Sequence, residues 1–187
     1  MDERGMPKRV RTVHGMFLPR AYFVTSGEGI STESHLNAFD DALSEAGIDE
    51  CNIVYVSSII PADAIEVKRT RITPGTITFA VVARMDGDEG EVIGAGIGYT
   101  KCRDRKGATY GFVAENHGYK DEDTITSELF KRMKRMASDR NMTLVDPKVL
   151  VRSMRVPKDR YGCVVVANVY LPFTAEIGER IQGIGER

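Results

Sequence analysis

Apolar residues recur along this chain with two periods, and each run ends at a residue type that stops its element. Ala21-Tyr22-Phe23-Val24-Thr25 has the aromatic and β-branched content of a strand, closed by Ser26-Gly27-Glu28-Gly29. Leu36, Phe39, Leu43 and Ala46 then follow at helical spacing, behind Ser34 as N-cap and ahead of Gly47 as the stop. The apolar run Ile53-Val54-Tyr55-Val56 predicts a strand that ends in Ser57-Ser58. Further strands are predicted over residues 76–85, 91–100 and 110–117, the first two joined as a hairpin by Asp86-Gly87-Asp88-Glu89-Gly90. A second helix over residues 124–138 sets Ile125, Leu129, Met133 and Met136 on one face, and strands over 148–155 and 161–171 complete the series.

Strands outnumber helices, and short turns rather than crossover helices join several neighbours. That predicts an α+β sandwich rather than a doubly wound parallel sheet. Residues 1–18 are polar and basic, interrupted by Gly5, Pro7 and Gly15, and read as a loosely held arm. The Gly-rich, charged residues 173–187 read as a peripheral tail, which leaves 19–172 as one domain. A chain of 187 residues can bury a core without disulfides or a structural metal.

Composition narrows the class. With 26 basic and 27 acidic residues the net charge is -1, so no global field favours nucleic acid or an anionic membrane as partner. The basic stretch Lys8-Arg9-Val10-Arg11 is too short to change this. Cys51, Cys102 and Cys163 are odd in number and far apart, which argues against a disulfide framework or a zinc site and fits a reducing cytoplasm. No apolar run approaches the ~20 residues of a membrane span, and the first thirty residues lack the core of a signal peptide. A soluble, cytoplasmic protein is expected.

Two glycine-rich segments invite a nucleotide reading, and both fail on context. Gly94-Ala95-Gly96-Ile97-Gly98 leads into Tyr99-Thr100 and a charged loop, Lys101 to Lys106, not into a helix whose N-terminus could hold a pyrophosphate. Alternate glycines on one strand face instead let another layer approach closely. Ser26-Gly27-Glu28-Gly29-Ile30-Ser31-Thr32 lacks the lysine of a phosphate loop. His14, His35 and His117 show no paired ligand spacing, so no metal is expected.

Three positions carry candidate chemistry. Ser57 and Ser58 close a strand, where a serine pair is ordinarily turn chemistry; in a strained peptide the second hydroxyl can also attack the preceding carbonyl. Asp40 falls at the margin of the first helix's apolar stripe, where a carboxylate is partly desolvated and either reaches water or takes a partner. Glu115 shares a strand face with Val113 and Gly111 in an apolar segment, where burial raises a carboxyl pKa; pairing with an arginine is the competing arrangement. His117 lies on the same face as Glu115.

The segment from Leu36-Asn37-Ala38-Phe39-Asp40-Asp41-Ala42-Leu43 through Ala46-Gly47-Ile48 to Asn52-Ile53-Val54-Tyr55-Val56-Ser57-Ser58-Ile59-Ile60-Pro61 resembles the pyruvoyl-dependent arginine decarboxylases. Tyr110-Gly111-Phe112-Val113-Ala114-Glu115-Asn116-His117-Gly118 resembles that family's acid-bearing strand. The likeness runs from about Arg20 to Leu171. It implies a layered α/β/β/α sandwich and self-cleavage between Ser57 and Ser58 by an N-to-O acyl shift, β-elimination and hydrolysis. Residues 1–57 would become a β chain and 58–187 an α chain headed by a covalent pyruvoyl group derived from Ser58. It further implies that Asp40 binds the guanidinium of L-arginine and that Glu115 returns the proton to carbon, giving agmatine and carbon dioxide. A homotrimer or dimer of trimers is implied too, with agmatine feeding polyamine synthesis or acid resistance. The same chemistry on lysine, ornithine or histidine, or a non-processing structural or regulatory homologue, are the alternatives.

Overall fold

The computed structural model describes Gly15 and residues 17–107 and 109–172. His14, the basic stretch at residues 8–11 and the tail at 173–187 lie outside the described residues. Nine strands and two helices alternate as β1 (Ala21–Ser31), α1 (His35–Ala46), β2 (Asn52–Tyr55), β3 (Ile59–Ile60), β4 (Ile65–Glu66), β5 (Ile77–Gly87), β6 (Val92–Asp104), β7 (Thr109–Gly118), α2 (Glu122–Asp139), β8 (Met142–Arg155) and β9 (Tyr161–Leu171) among the described residues. They form a five-stranded sheet in the order β2-β5-β9-β1-β4 and a four-stranded sheet in the order β3-β7-β6-β8. Among the described residues only β1 with β4 and β2 with β5 run parallel, and every other pairing is antiparallel.

The local stop signals act as the residue types require. Ser34 Oγ accepts the Asn37 N–H at 3.2 Å, satisfying one orphan donor at the start of α1. Gly47 at φ 72° ends that helix in the left-handed region, and the Ile48 N–H closes back on the Leu43 carbonyl at 3.0 Å. Asp121 caps α2 by accepting from the Thr124 N–H at 2.9 Å, with Glu122 and Asp123 in the favourable first turn.

Three apolar clusters organise the molecule. Ala38, Ala42 and Ala46 of α1 pack on Ala21, Phe23, Val165 and Ala167 of the larger sheet. Val81, Val164 and Val166 from the other face of that sheet meet Ile93, Ile97 and Val113 of the smaller one. Ile125, Leu129 and Met133 of α2 cover the smaller sheet on the side of Cys102, Phe112 and Ala114. Because β9 is central and buried on both faces, its sequence is apolar almost throughout instead of alternating. A fully buried side chain of this kind contributes roughly 1.5–3 kcal/mol.

Several expectations from the pattern are corrected. Residues 76–85 and 91–100 do not form a hairpin: β5 and β6 belong to different sheets, so the turn at 88–91 carries the chain from one layer to the other. Turn residues report a reversal, not which sheet the next strand joins. β1 does not stop at Ser26 but continues to Ser31, because Gly27 and Gly29 lie directly beneath α1, where a Cβ would collide with the Ala42 and Ala38 carbonyls. The charged stretch from Lys101 is no loop as far as Asp104, since β6 stays paired with β7 to Arg103 and, past a register shift between Tyr99 and Lys101, with β8 to Asp104. Leu36 is 72% exposed and Ala137, not Met136, is the buried residue of the last turn of α2. Phe17, assigned to the arm, stacks on Phe79 with ring centroids 5.0 Å apart. The strand glycines do admit a neighbouring layer: Cβ atoms at Gly96 and Gly98 would meet Ile125 at 2.8 Å and Met133 at 2.9 Å on α2.

Candidate active site

The Ser57–Ser58 peptide bond lies where the chain crosses between the sheets. β2 is an edge strand of the larger sheet and β3 an edge strand of the smaller one. The Val56 N–H still donates to the Ala80 carbonyl at 3.0 Å, whereas the Ser58 carbonyl already accepts from the Val113 N–H of β7 at 2.8 Å. Two residues thus carry the whole transfer. Between them the Ile59 N–H donates to the Ser57 carbonyl at 3.1 Å, a three-residue turn that bends the backbone at the junction. The Tyr170 hydroxyl donates to the Ile59 carbonyl at 3.0 Å. Burial, with Tyr22 nearby, pushes the Tyr170 phenol well above its ordinary value and keeps it a donor.

Glu115 reaches the same region from β7. Val113 belongs to the cluster between the sheets, and Glu115, two residues on, shares its strand face. It stands opposite Ile97 of β6 and is half-buried. Its own carbonyl accepts from the Arg132 guanidinium of α2 at 2.6 Å, which ties this part of β7 to the helix. Asn116 points the other way and donates to Glu128 at 2.7 Å. Since Ser58 bonds to Val113, it meets β7 two residues before Glu115. His117 follows on the same face, exposed at the strand end.

Asp40 is placed differently. The buried arc of α1 is Ala38, Ala42, Leu43 and Ala46, and Asp40 points away from it and is exposed. The expected partial desolvation is absent within this chain, because small alanines let α1 sit flat on the sheet and the stripe is narrower than its spacing suggested. α1 covers the outer face of the larger sheet, while Glu115 looks into the space between the sheets. A sheet therefore separates Asp40 from Ser58 and Glu115 in one copy of the chain.

Three residues near the crossover escaped the sequence reading. Lys101 donates to the carbonyls of Pro61, Ala62 and Ala64, and Tyr170 holds Ile59; neither stands out in sequence. Asn168 does, as a lone amide in the apolar run of β9. It is wholly buried on the face it shares with Val166 and Tyr170, and neither its Nδ2 nor its Oδ1 has a hydrogen-bond partner among the described residues. A cleft lined by Arg103, Ser138, Asn141, Met142 and Thr143 lies further along β6, beyond the Thr100–Phe112 pair, and so apart from the crossover. Among the described residues no group of three His, Cys, Asp or Glu could hold a metal, and Cys51, Cys102 and Cys163 are free. None of the described helices is long and apolar enough to cross a membrane.

Comparison with known proteins identifies the family. Residues 21–175 match the family model for pyruvoyl-dependent arginine decarboxylase. The chain is 31% identical over 156 residues to the pyruvoyl-dependent arginine decarboxylase of Methanopyrus kandleri, an alignment covering 83% of this chain and 99% of that protein. It is 31% identical over 121 residues to pyruvoyl-dependent arginine decarboxylase 1 of Methanosarcina acetivorans, covering 62% of this chain and 72% of that one. A probable pyruvoyl-dependent arginine decarboxylase of Chlorobium limicola is 38% identical over 117 residues, 60% of this chain and 63% of its own length. The matched span takes in both sheets, both helices and the serine crossover, and the chain belongs to the pyruvoyl-dependent arginine decarboxylase family.

Proposed function

We propose that this protein converts L-arginine to agmatine and carbon dioxide, after cutting itself between Ser57 and Ser58 to generate a covalent pyruvoyl group at position 58. The observation that carries the reading is the position of that bond: it lies in the short step from edge strand β2 to edge strand β3, with Ser58 bonded to β7 two residues before a half-buried glutamate. Position 58 fits the group the family requires. The Ser57 carbonyl, the electrophile of an acyl shift, already accepts a hydrogen bond from the Ile59 N–H, which favours charge developing on its oxygen. β2 and β3 are each paired to a different neighbour, so the layers stay in place when the bond between them is lost.

In the proposed cleavage the Ser58 hydroxyl attacks the Ser57 carbonyl and the peptide C–N bond gives way to an ester. Loss of the residue-58 α-proton then expels the Ser57 carboxylate, and hydrolysis of the resulting enamine releases ammonia. When formed, the pyruvoyl ketone supplies the electron sink for breaking a carbon–carbon bond. Glu115 protonates the substrate α-carbon from the face it shares with Val113. Asp40 binds the guanidinium, for which a carboxylate offers paired, charge-assisted hydrogen bonds.

Asp40 and Ser58 belong to one site only if two copies of the chain contribute to it. Tyr55 (63% exposed) on β2 and Ile59 (45%) on β3 flank the crossover on the two edge strands, an apolar surface suited to a second copy. We read the assembly as a homotrimer or dimer of trimers of αβ units in the cytoplasm. The fold is then the layered α/β/β/α sandwich of this family, with residues 19–172 as the decarboxylase domain.

Intact mass under denaturing conditions tests the proposal. Wild type should resolve into chains of 57 residues and of the remaining 130, the larger one blocked at its N-terminus, while Ser58→Ala stays a single chain of 187. The mature protein should release agmatine and carbon dioxide from arginine. A wild type that remains full length through prolonged incubation overturns the self-processing mechanism.

A further inference from the structure

We propose that Lys101 is a positioning residue that clamps the segment headed by position 58 after the chain is cut, keeping the new terminus seated against β7. The inference rests on the reading of Ser57–Ser58 as the cleavage site.

Its Nζ donates to three backbone carbonyls, those of Pro61 at 2.9 Å, Ala62 at 2.9 Å and Ala64 at 2.8 Å. An ammonium has three protons, and all three converge on one turn that immediately follows β3. Gly111, the β7 partner of Lys101, makes room for this: a Cβ there would meet the Ile60 side chain at 3.1 Å and the Lys101 stem at 3.4 Å. Half-buried, the ammonium lies below its ordinary lysine pKa by desolvation, yet it is compensated by those carbonyls and by exposed Asp63 nearby.

The segment needs such a hold once the bond is broken. Before cleavage, residue 58 is tethered on one side by β2 and on the other by β3. Afterwards only the downstream side remains: the Val113 N–H bond to the residue-58 carbonyl and a β3 of two residues, which pairs with Phe112 and Gly111. A strand that short does not persist by its own ladder. The next pairing, Ile65 N–H to the Arg20 carbonyl at 3.0 Å, comes only after the turn that Lys101 grips. Tyr170 reaches the Ile59 carbonyl, but through one neutral hydrogen bond. Lys101 supplies three charged ones, each the stronger kind. Arginine cannot replace it, since a planar fork does not converge on three carbonyls around one point.

The test compares hydrogen exchange of the peptide 59–66 in cleaved wild type, cleaved Lys101→Met and Lys101→Arg, and the uncleavable Ser58→Ala with and without Lys101→Met. In the cleaved protein, Lys101→Met should speed exchange across 59–66 by about tenfold or more; in the Ser58→Ala background the rise should stay under roughly threefold. Turnover per pyruvoyl group should fall about tenfold while the KM for arginine moves by less than about threefold, with no rescue by Lys101→Arg. Equal acceleration in cut and uncut backgrounds, or none in the cut protein, overturns the clamp. Should Lys101→Met not accumulate as folded protein, wild type decides: 59–66 must exchange within about threefold of Ser58→Ala, and a segment that frays on cutting with Lys101 in place sinks the idea. An uncut wild type overturns the cleavage-site reading and the clamp with it, whereas a cut wild type with these failures overturns the clamp alone.

Discussion

At position 115 a carboxylate occupies the strand face that its neighbour Val113 devotes to the core between the sheets. Its partner Ile97 is fully buried, so the Glu115 side chain stands on an otherwise apolar face of the strand whose Val113 N–H bonds to Ser58. Glu115→Gln keeps size and hydrogen-bonding capacity but removes the transferable proton. The variant should assemble and cut, yet lose ~100- to 10,000-fold in turnover, the usual worth of a placed acid. Near-normal agmatine release by the mature variant would assign the proton to another group. Asp40 makes the complementary case, being exposed in the single chain and separated from Ser58 by a sheet. Asp40→Asn should leave cleavage intact while reducing arginine use at low concentration by about tenfold or more, as loss of one partner in a charge pair does. Carbon dioxide release from arginine, lysine and an uncharged analogue, at equal pyruvoyl content, checks this. The same proportional loss for all three would make Asp40 an assembly residue and not the guanidinium site.

Among the elements, β7 and α2 are locked together around the candidate acid. Arg132 of α2 holds the Glu115 carbonyl, and Glu128 of α2 accepts from Asn116 at 2.7 Å and from Lys120 at 2.6 Å. Those hydrogen bonds, Lys120 first, hold the Glu128 carboxyl below its ordinary value of 4.5. A carboxylate with a depressed folded-state pKa contributes stability that is fully present above the unfolded value and is lost as pH falls through the folded one. Melting temperature measured against pH should therefore show Glu128→Gln less stable than wild type at pH 6–7, with the gap closing below pH ~4. A gap that persists unchanged at pH ~3 would trace the effect to packing instead of charge. Helix boundaries at this scale were legible beforehand because Ser34, Gly47 and the apolar spacing act within one turn of the chain. Sheet membership was not, and the expected β5–β6 hairpin dissolved into a link between layers.

For the molecule as a whole, the proposed cut would fall at a joint and not within a layer. Both fragments retain long-range partners, since β1 of the first pairs along its full length with β9 of the second, from Ala21–Leu171 to Ser31–Tyr161. The cleaved chains should comigrate under native conditions and separate only in denaturant. Their native mass should correspond to three or six αβ units, with Tyr55 and Ile59 covered by the neighbouring copy. Tyr55→Lys, which places a charge on that edge, should shift the native mass toward the single unit and reduce arginine turnover in parallel. A fully active single unit would show that one copy holds a complete site.

Sequence alone determined whatever depends on neighbours along the chain. Both helices, the caps of the first, most strands and the Ser57-Ser58 motif follow from spacing and residue type, because these are settled within a few residues. The tertiary structure decided what depends on residues far apart. It split the strands into two sheets and put the serine pair at the joint between them. It also set Lys101 against a turn some forty positions away in the chain and brought Tyr170 to Ile59. It left Asp40 exposed on an outer helix, on the far side of a sheet from Ser58. The physical reason is the same throughout: periodicity reports that a face is apolar, whereas only packing decides which face of which layer meets it.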